Sequence, residues 1–195
     1  MSCPALPRLL AAALIFAATQ AVAQPKEEPA PPLPVEYSDE ARREYASGLA
    51  QARDLIEAKR WNEAIARLDE LAKQRPREAQ ARFLKSVAQA EAGQASDAAA
   101  TLLALAADFP ELPEPRNNLA VLYASQGNYA MARAELELAL AAAPDYAVAR
   151  ENLGDVYARM AALEYERAAA LDKTSRSAAQ KLKAVRELLA APAAQ

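Results

Sequence analysis

The chain has 195 residues, a formal net charge of −3, and a composition that is 53% hydrophobic with 13 prolines and only 4 glycines. It holds no histidine and a single cysteine, Cys3. That leaves carboxylates as the main metal-ligand chemistry and excludes Ser–His and Cys–His nucleophile pairs. The glycines are isolated, so no phosphate-cradling loop can form.

The first 23 residues resemble a secretory signal peptide. Arg8 supplies a short positive region, Leu9 to Ala18 is an apolar run, and Ala21-Val22-Ala23 is a cleavage pattern of the A-x-A type. The apolar run is too short to cross a bilayer comfortably. Export across the inner membrane, with a periplasmic destination, is therefore expected. Cleavage after Ala23 would remove Cys3, leaving no disulfide chemistry in an oxidising compartment. Residues 24–37 then carry Pro25, Pro29, Pro31, Pro32 and Pro34. That density forbids a helix and favours extended, disordered, solvated chain. It reads first as a spacer, and second as a ligand for a proline-binding groove. Ser38, followed by Asp39 and Glu40, is a helix N-cap with acids in the first turn, so a folded domain is expected over 38–190.

Within that domain Pro76, Pro110 and Pro144 fall at a constant interval of 34 residues. Other columns keep the same phase. With each proline at position 32, position 8 is small (Ala52, Ser86, Ala120, Gly154) and position 20 is Ala64, Ala98 and Ala132. Position 24 is Leu68, Leu102 and Leu136. Small residues let two helices approach, and the leucines fill the space between them. Gly93 and Gly127 recur where a left-handed turn would end a first helix, and Lys59 stands at the equivalent place. Each proline lies past a second helix that it cannot continue.

A 34-residue helix–turn–helix period is similar to the tetratricopeptide repeat. The best match runs through Asn118-Leu119-Ala120-Val121-Leu122-Tyr123, Gly127-Asn128-Tyr129, Ala132, Leu136, Ala139 and Pro144, with Arg116 in place of the usual Trp. Gln51, Gln89 and Ala95 also depart from the pattern. The resemblance implies an all-α, right-handed α-solenoid of about three and a half repeats. Its repeats are 45–78, 79–112, 113–146 and a degenerate 147–173.

Beyond Gly154 the phase is lost. No Gly or Pro occurs between Gly154 and Pro192, so one continuous helix is expected from about Pro144 to about Leu171. In 175–190, Ala178, Leu182, Val185 and Leu189 form one helical stripe. This segment reads as a cap that shields the last repeat, with a membrane-surface helix as the other reading. Residues 191–195 are a short tail.

Between Ala23 and Asp172 there are 17 basic and 24 acidic residues, a balance that argues against general nucleic-acid binding. Arg75, Arg77 and Arg82, with Glu78 among them, read as solvated surface. The close carboxylates Asp69 and Glu70, Glu135 and Glu137, and Glu164 and Glu166 do not share a helix face, so they read as solubilising charge. Asp145 is expected at a helix start.

In tetratricopeptide-repeat proteins the first helices line a groove, and ligand contacts come from repeat positions 2, 5, 6, 9, 12 and 13. The resemblance places Arg53, Gln80, Asn117, Asn118, Glu151, Asn152 and Asp155 there as polar candidates. Leu49, Ile56, Phe83, Leu84, Val87, Val121 and Val148 are the apolar ones. The basic clamp with which some members grip a C-terminal carboxylate is missing. Its positions hold Glu114, Asn117, Asn118 and Val121, then Val148, Glu151, Asn152 and Asp155. The expected function is non-enzymatic: an envelope adaptor or scaffold that binds a protein or peptide segment. No cofactor, metal, nucleic acid or stable membrane insertion is expected. A self-associating structural subunit, a homo-oligomer, is the alternative.

Overall fold

The computed structural model describes residues 37–190, among which there are eight helices and no strand. The expected signal peptide, the proline-rich residues 24–36 and the tail lie outside the described residues. Three helix pairs follow one another: α1 (Asp39–Glu57) with α2 (Trp61–Gln74), α3 (Ala79–Glu91) with α4 (Ala95–Asp108), and α5 (Glu114–Ser125) with α6 (Tyr129–Ala142). Then come α7 (Ala147–Leu171) and α8 (Arg176–Ala190).

Helix α1 starts as its sequence dictates: the Ser38 hydroxyl accepts from the Ala41 amide at 3.2 Å. The three pairs turn alike. Gly93 and Gly127 both have φ +76°, and Lys59 holds the same left-handed turn at φ +57°. Each turn closes with the same long-range backbone bond: Arg60 to Leu55, Gln94 to Gln89, and Asn128 to Tyr123, all within 2.8–2.9 Å. This is the 6→1 bond of a Schellman ending, which satisfies carbonyls that the helix leaves open. Lysine at 59 tolerates a backbone that glycine would adopt without steric cost.

The phased columns form the core. Ala52, Ala64, Leu68 and Leu71 are buried together between α1 and α2, with Tyr45, Leu49 and, from α3, Ala81 and Ala88. Ala120, Ala132, Leu136 and Ala139 repeat that arrangement between α5 and α6, continuing to Ala149 and Val156 of α7. Two of the departures from the repeat pattern are compensated. Gln89, standing where an aromatic is expected, is buried and accepts from the Thr101 hydroxyl at 2.8 Å. Arg116 reaches across to Glu135 on α6 at 3.1 Å.

The fourth unit differs. A single 25-residue helix runs through the place where the other units turn, with Ala161 where Gly127 would recur. No second helix folds back on its N-terminal half, so Gly154 has nothing within 4 Å of a built Cβ. The sequence expects a small residue there for close helix approach, and the structure corrects that reason. Gly154→Ala should therefore raise stability by about 0.5–1 kcal/mol, through helix propensity alone. A loss of stability in urea unfolding would contradict this packing.

Helix α8 packs back on α7. Ala178 is buried and Leu182, Val185 and Leu189 are half-buried, the stripe that the sequence sets out. Arg186 pairs with Glu166, and the Lys181 ammonium lies 5.7 Å from the Tyr165 ring centre.

Asp145 stands at the start of α7, as its sequence position suggests; the N-cap itself is Tyr146, with no side-chain bond, and Arg150 donates to the Pro144 carbonyl at 2.9 Å. Two local expectations need correction. Leu49 belongs to the core, where it is 3% exposed. Arg75 is not solvated surface but is 6% exposed. Its guanidinium lies 4.0 Å from the Tyr37 ring centre and 4.3 Å from that of Tyr45, and it donates to Glu78 at 2.8 Å. Tyr37, the last residue of the expected linker, is thus held against the helical domain.

Candidate functional site

Helices α3, α5 and α7 are the first members of successive units, and the faces they present carry two hollows. One, of about 380 Å³, lies between α3 and α5 and is lined by Val87, Glu91, Asn118 and Val121, with Leu102 of α4 at its back. The other, of about 340 Å³, lies between α5 and α7. Val121, Asn152, Asp155 and Arg159 line it, with Tyr129 and Leu136 of α6 behind them. Val121 and Ser125 belong to both, so the hollows are contiguous across α5. Val121 is 50% exposed there.

An amide chain crosses from α5 to α7 beside this surface. Asn117 is 4% exposed. Its carbonyl accepts from the Asn152 amide at 2.8 Å, and its own amino group donates to the Asn118 carbonyl at 3.3 Å. A buried amide costs free energy unless its groups are bonded, and here two half-buried neighbours satisfy it. Asn117 is therefore a strut rather than a contact. Its bonding leaves the amino group of Asn118 and the carbonyl of Asn152 unspent among the described residues. A peptide backbone offers the complementary acceptor and donor.

The nine residues expected to meet a partner separate into groups. Asn118, Val121, Asn152 and Asp155 come together around the hollows. Asn117 stands behind them. Arg53, Gln80 and Glu151 are exposed, and Phe83 is half-buried, but none of these four lines either hollow. Of the apolar candidates, Val87 lines one hollow, Ile56 and Leu84 pack against the core, and Val148 is exposed. Glu91, Ser125 and Arg159 line the hollows without having been singled out. All three occupy repeat position 13, so the positional rule contained them.

Each of the six close carboxylates noted in the sequence has an ionic partner: Asp69 with Lys85, Glu70 with Arg67, Glu135 with Arg116, Glu137 with Arg133, Glu164 with Arg167, and Glu166 with Arg186. Glu91, Glu114, Glu151 and Asp155 have none among the described residues. At the start of α7, burial raises the Tyr146 phenol above its ordinary pKa, and the negative charge of Glu114 adds to that effect.

No helix among the described residues is long and apolar enough to cross a membrane. No family model matches the chain, and no curated protein matches it at a significant level. Solved structures do. YrrB, described as a TPR protein with an unusual peptide-binding site, superposes with a TM-score of 0.50 at 20% identity. The match covers 55% of this chain and 55% of that one, so this chain spans about half of YrrB. The Yersinia enterocolitica type III secretion translocator chaperone SycD gives 0.53 at 15% identity, covering 68% of this chain and 89% of its own. PcrH in complex with the chaperone-binding region of PopD gives 0.53 at 16%, covering 66% and 99%. Two neighbours described as TPR or chaperone structures, the repeated Schellman turns and the phased core agree: this chain has the tetratricopeptide-repeat fold, an all-helical solenoid.

Proposed function

We propose that this protein is a non-enzymatic adaptor of the cell envelope that binds a segment of another polypeptide along α3, α5 and α7. The observation that carries the reading is the pair of contiguous hollows meeting at Val121, flanked by the unspent amide groups of Asn118 and Asn152. Such a surface is built before a ligand arrives, so the scaffold loses little conformational freedom on binding. Apolar side chains of the partner would enter the hollows while its backbone met the amides. Arg53, Gln80, Phe83 and Glu151 would extend the contact at the margins. Similar folds support the reading: YrrB is described with a peptide-binding site, and PcrH with a region of PopD. The envelope setting rests on the signal-like first 23 residues.

The test is site-specific photo-crosslinking in cells. A photoreactive side chain at Val121 or Val87 should capture a protein, while one at Leu103, exposed on α4, should not. Equal capture from all three would defeat the groove reading. Recovery of a chain beginning at Gln24 from the periplasmic fraction would support export, and a cytoplasmic chain still carrying residues 1–23 would oppose it.

Self-association into an envelope assembly is the second reading. Leu171 is 90% exposed and Leu188 64% exposed, both in the last two helices. Light scattering at micromolar concentration decides it, since a strict monomer excludes that assembly.

A further inference from the structure

The groove-facing positions of α3, α5 and α7 carry an excess of unpaired negative charge. On the second helices Asp69, Glu70, Glu135 and Glu137 are each matched by a cation within 4 Å, while Asp97 on α4 is not among the described ion pairs. Along the first helices, Glu91 on α3, Glu114 on α5, and Glu151 and Asp155 on α7 have no such partner among the described residues. Glu91 and Asp155 line the hollows themselves. The one cation lining either hollow is Arg159, one turn beyond Asp155 on α7 and likewise in no ion pair. Four carboxylates against one guanidinium at the groove-facing positions of α3, α5 and α7 make that face complementary to positive charge.

We propose, resting on the groove reading above, that the occupant is a cationic polypeptide segment: two apolar side chains seated in the two hollows, with lysine or arginine residues beside them. Polyanions such as nucleic acid and anionic lipid headgroups are repelled from the same face. Glu91 meets a cation at the α3 end, and Glu151 and Asp155 meet one at the α7 end. Arg159 limits the cationic stretch by opposing positive charge near the end of the second hollow. The aliphatic stems of the ligand's lysines or arginines cover apolar wall while their charged heads reach the carboxylates.

Panning a random peptide library against the purified protein tests this. Two variants accompany it: Val121→Trp, which fills the junction of the hollows, and the triple change E91Q/E151Q/D155N. All the changed residues are exposed, and unchanged melting curves verify that both variants fold. Selected peptides should be lost with Val121→Trp, should be enriched in Lys and Arg around two apolar residues, and should bind about tenfold more weakly to the triple variant. Their affinity should also fall about tenfold between roughly 0.05 and 0.5 M salt. Peptides that need Val121 but are neutral or acidic, or that bind the triple variant equally well, overturn the cationic assignment and leave the groove intact. A library yielding nothing that Val121→Trp abolishes overturns both.

Discussion

Leu136→Ala should unfold with a stability loss of about 2–5 kcal/mol, the range of large-to-small changes in well-packed cores. For a chain of this size that is a fall in Tm of about 5–15 °C. The reason lies in the company that Leu136 keeps. Its side chain is fully buried, and Ala120, Ala132, Ala139 and Ala149 are in the same cluster. Alanines have no side-chain freedom with which to close a void, so the space left by three missing carbons stays open. Leu136 also backs the hollow between α5 and α7, and its loss would deepen that hollow without giving water a polar partner at its base. Leu138, two residues on and exposed, is the control. Leu138→Ala should change stability by no more than about 0.5 kcal/mol. Similar melting of the two variants would mean that the 34-residue register is misassigned.

That register was the legible part of the fold, because the physics behind it is short-ranged and periodic. A left-handed turn needs glycine or a tolerant substitute, and the chain shows one at 59, 93 and 127. Two helices crossing closely need a small residue on each, and Ala52, Ala64, Ala120 and Ala132 supply it. The long α7 was legible for the opposite reason: nothing in its sequence could stop it.

The site was only partly legible. Repeat position tells which residues face the inner side, but not whether a given side chain is spent on its neighbours. Asn117 and Asn118 are adjacent asparagines, and only the three-dimensional path to Asn152 makes the first a strut and leaves the amino group of the second open. Asp155 and Arg159 lie four residues apart on α7 yet form no ion pair among the described residues, whereas Glu164 pairs with Arg167 three residues on, a difference that helical spacing alone does not tell. Gly154 fits the small-residue column while lacking the neighbour that gives the column its purpose.

Arg75 is where sequence reasoning misjudged most, and it is also a sharp test of the N-terminal packing. Its position precedes Pro76 at the end of α2, and its equivalents in the next two units are Phe109 and Ala143, so the repeat gives it no assigned role. In the structure it joins three elements. Tyr37 and Tyr45 bracket the guanidinium, Glu78 takes one amino group, and the Ala41 carbonyl takes the other. Arginine suits this place because its planar, weakly hydrated cation can stack on rings and donate in its own plane at once. Arg75→Met should keep much of the volume while losing two ring contacts and two charge-assisted bonds. Glu78 is partly exposed and can recover water, so the net cost should be about 2–4 kcal/mol rather than the sum of the separate interactions. Arg75→Lys should restore less than half of it, since an ammonium cannot stack between two rings and bond sideways together. Hydrogen exchange should locate the damage, with protection lost in the first turns of α1 and retained in α5 and α6. A variant that unfolds like the parent, or one that loosens all helices equally, would show that Arg75 does not pin α1 to the first inter-repeat turn.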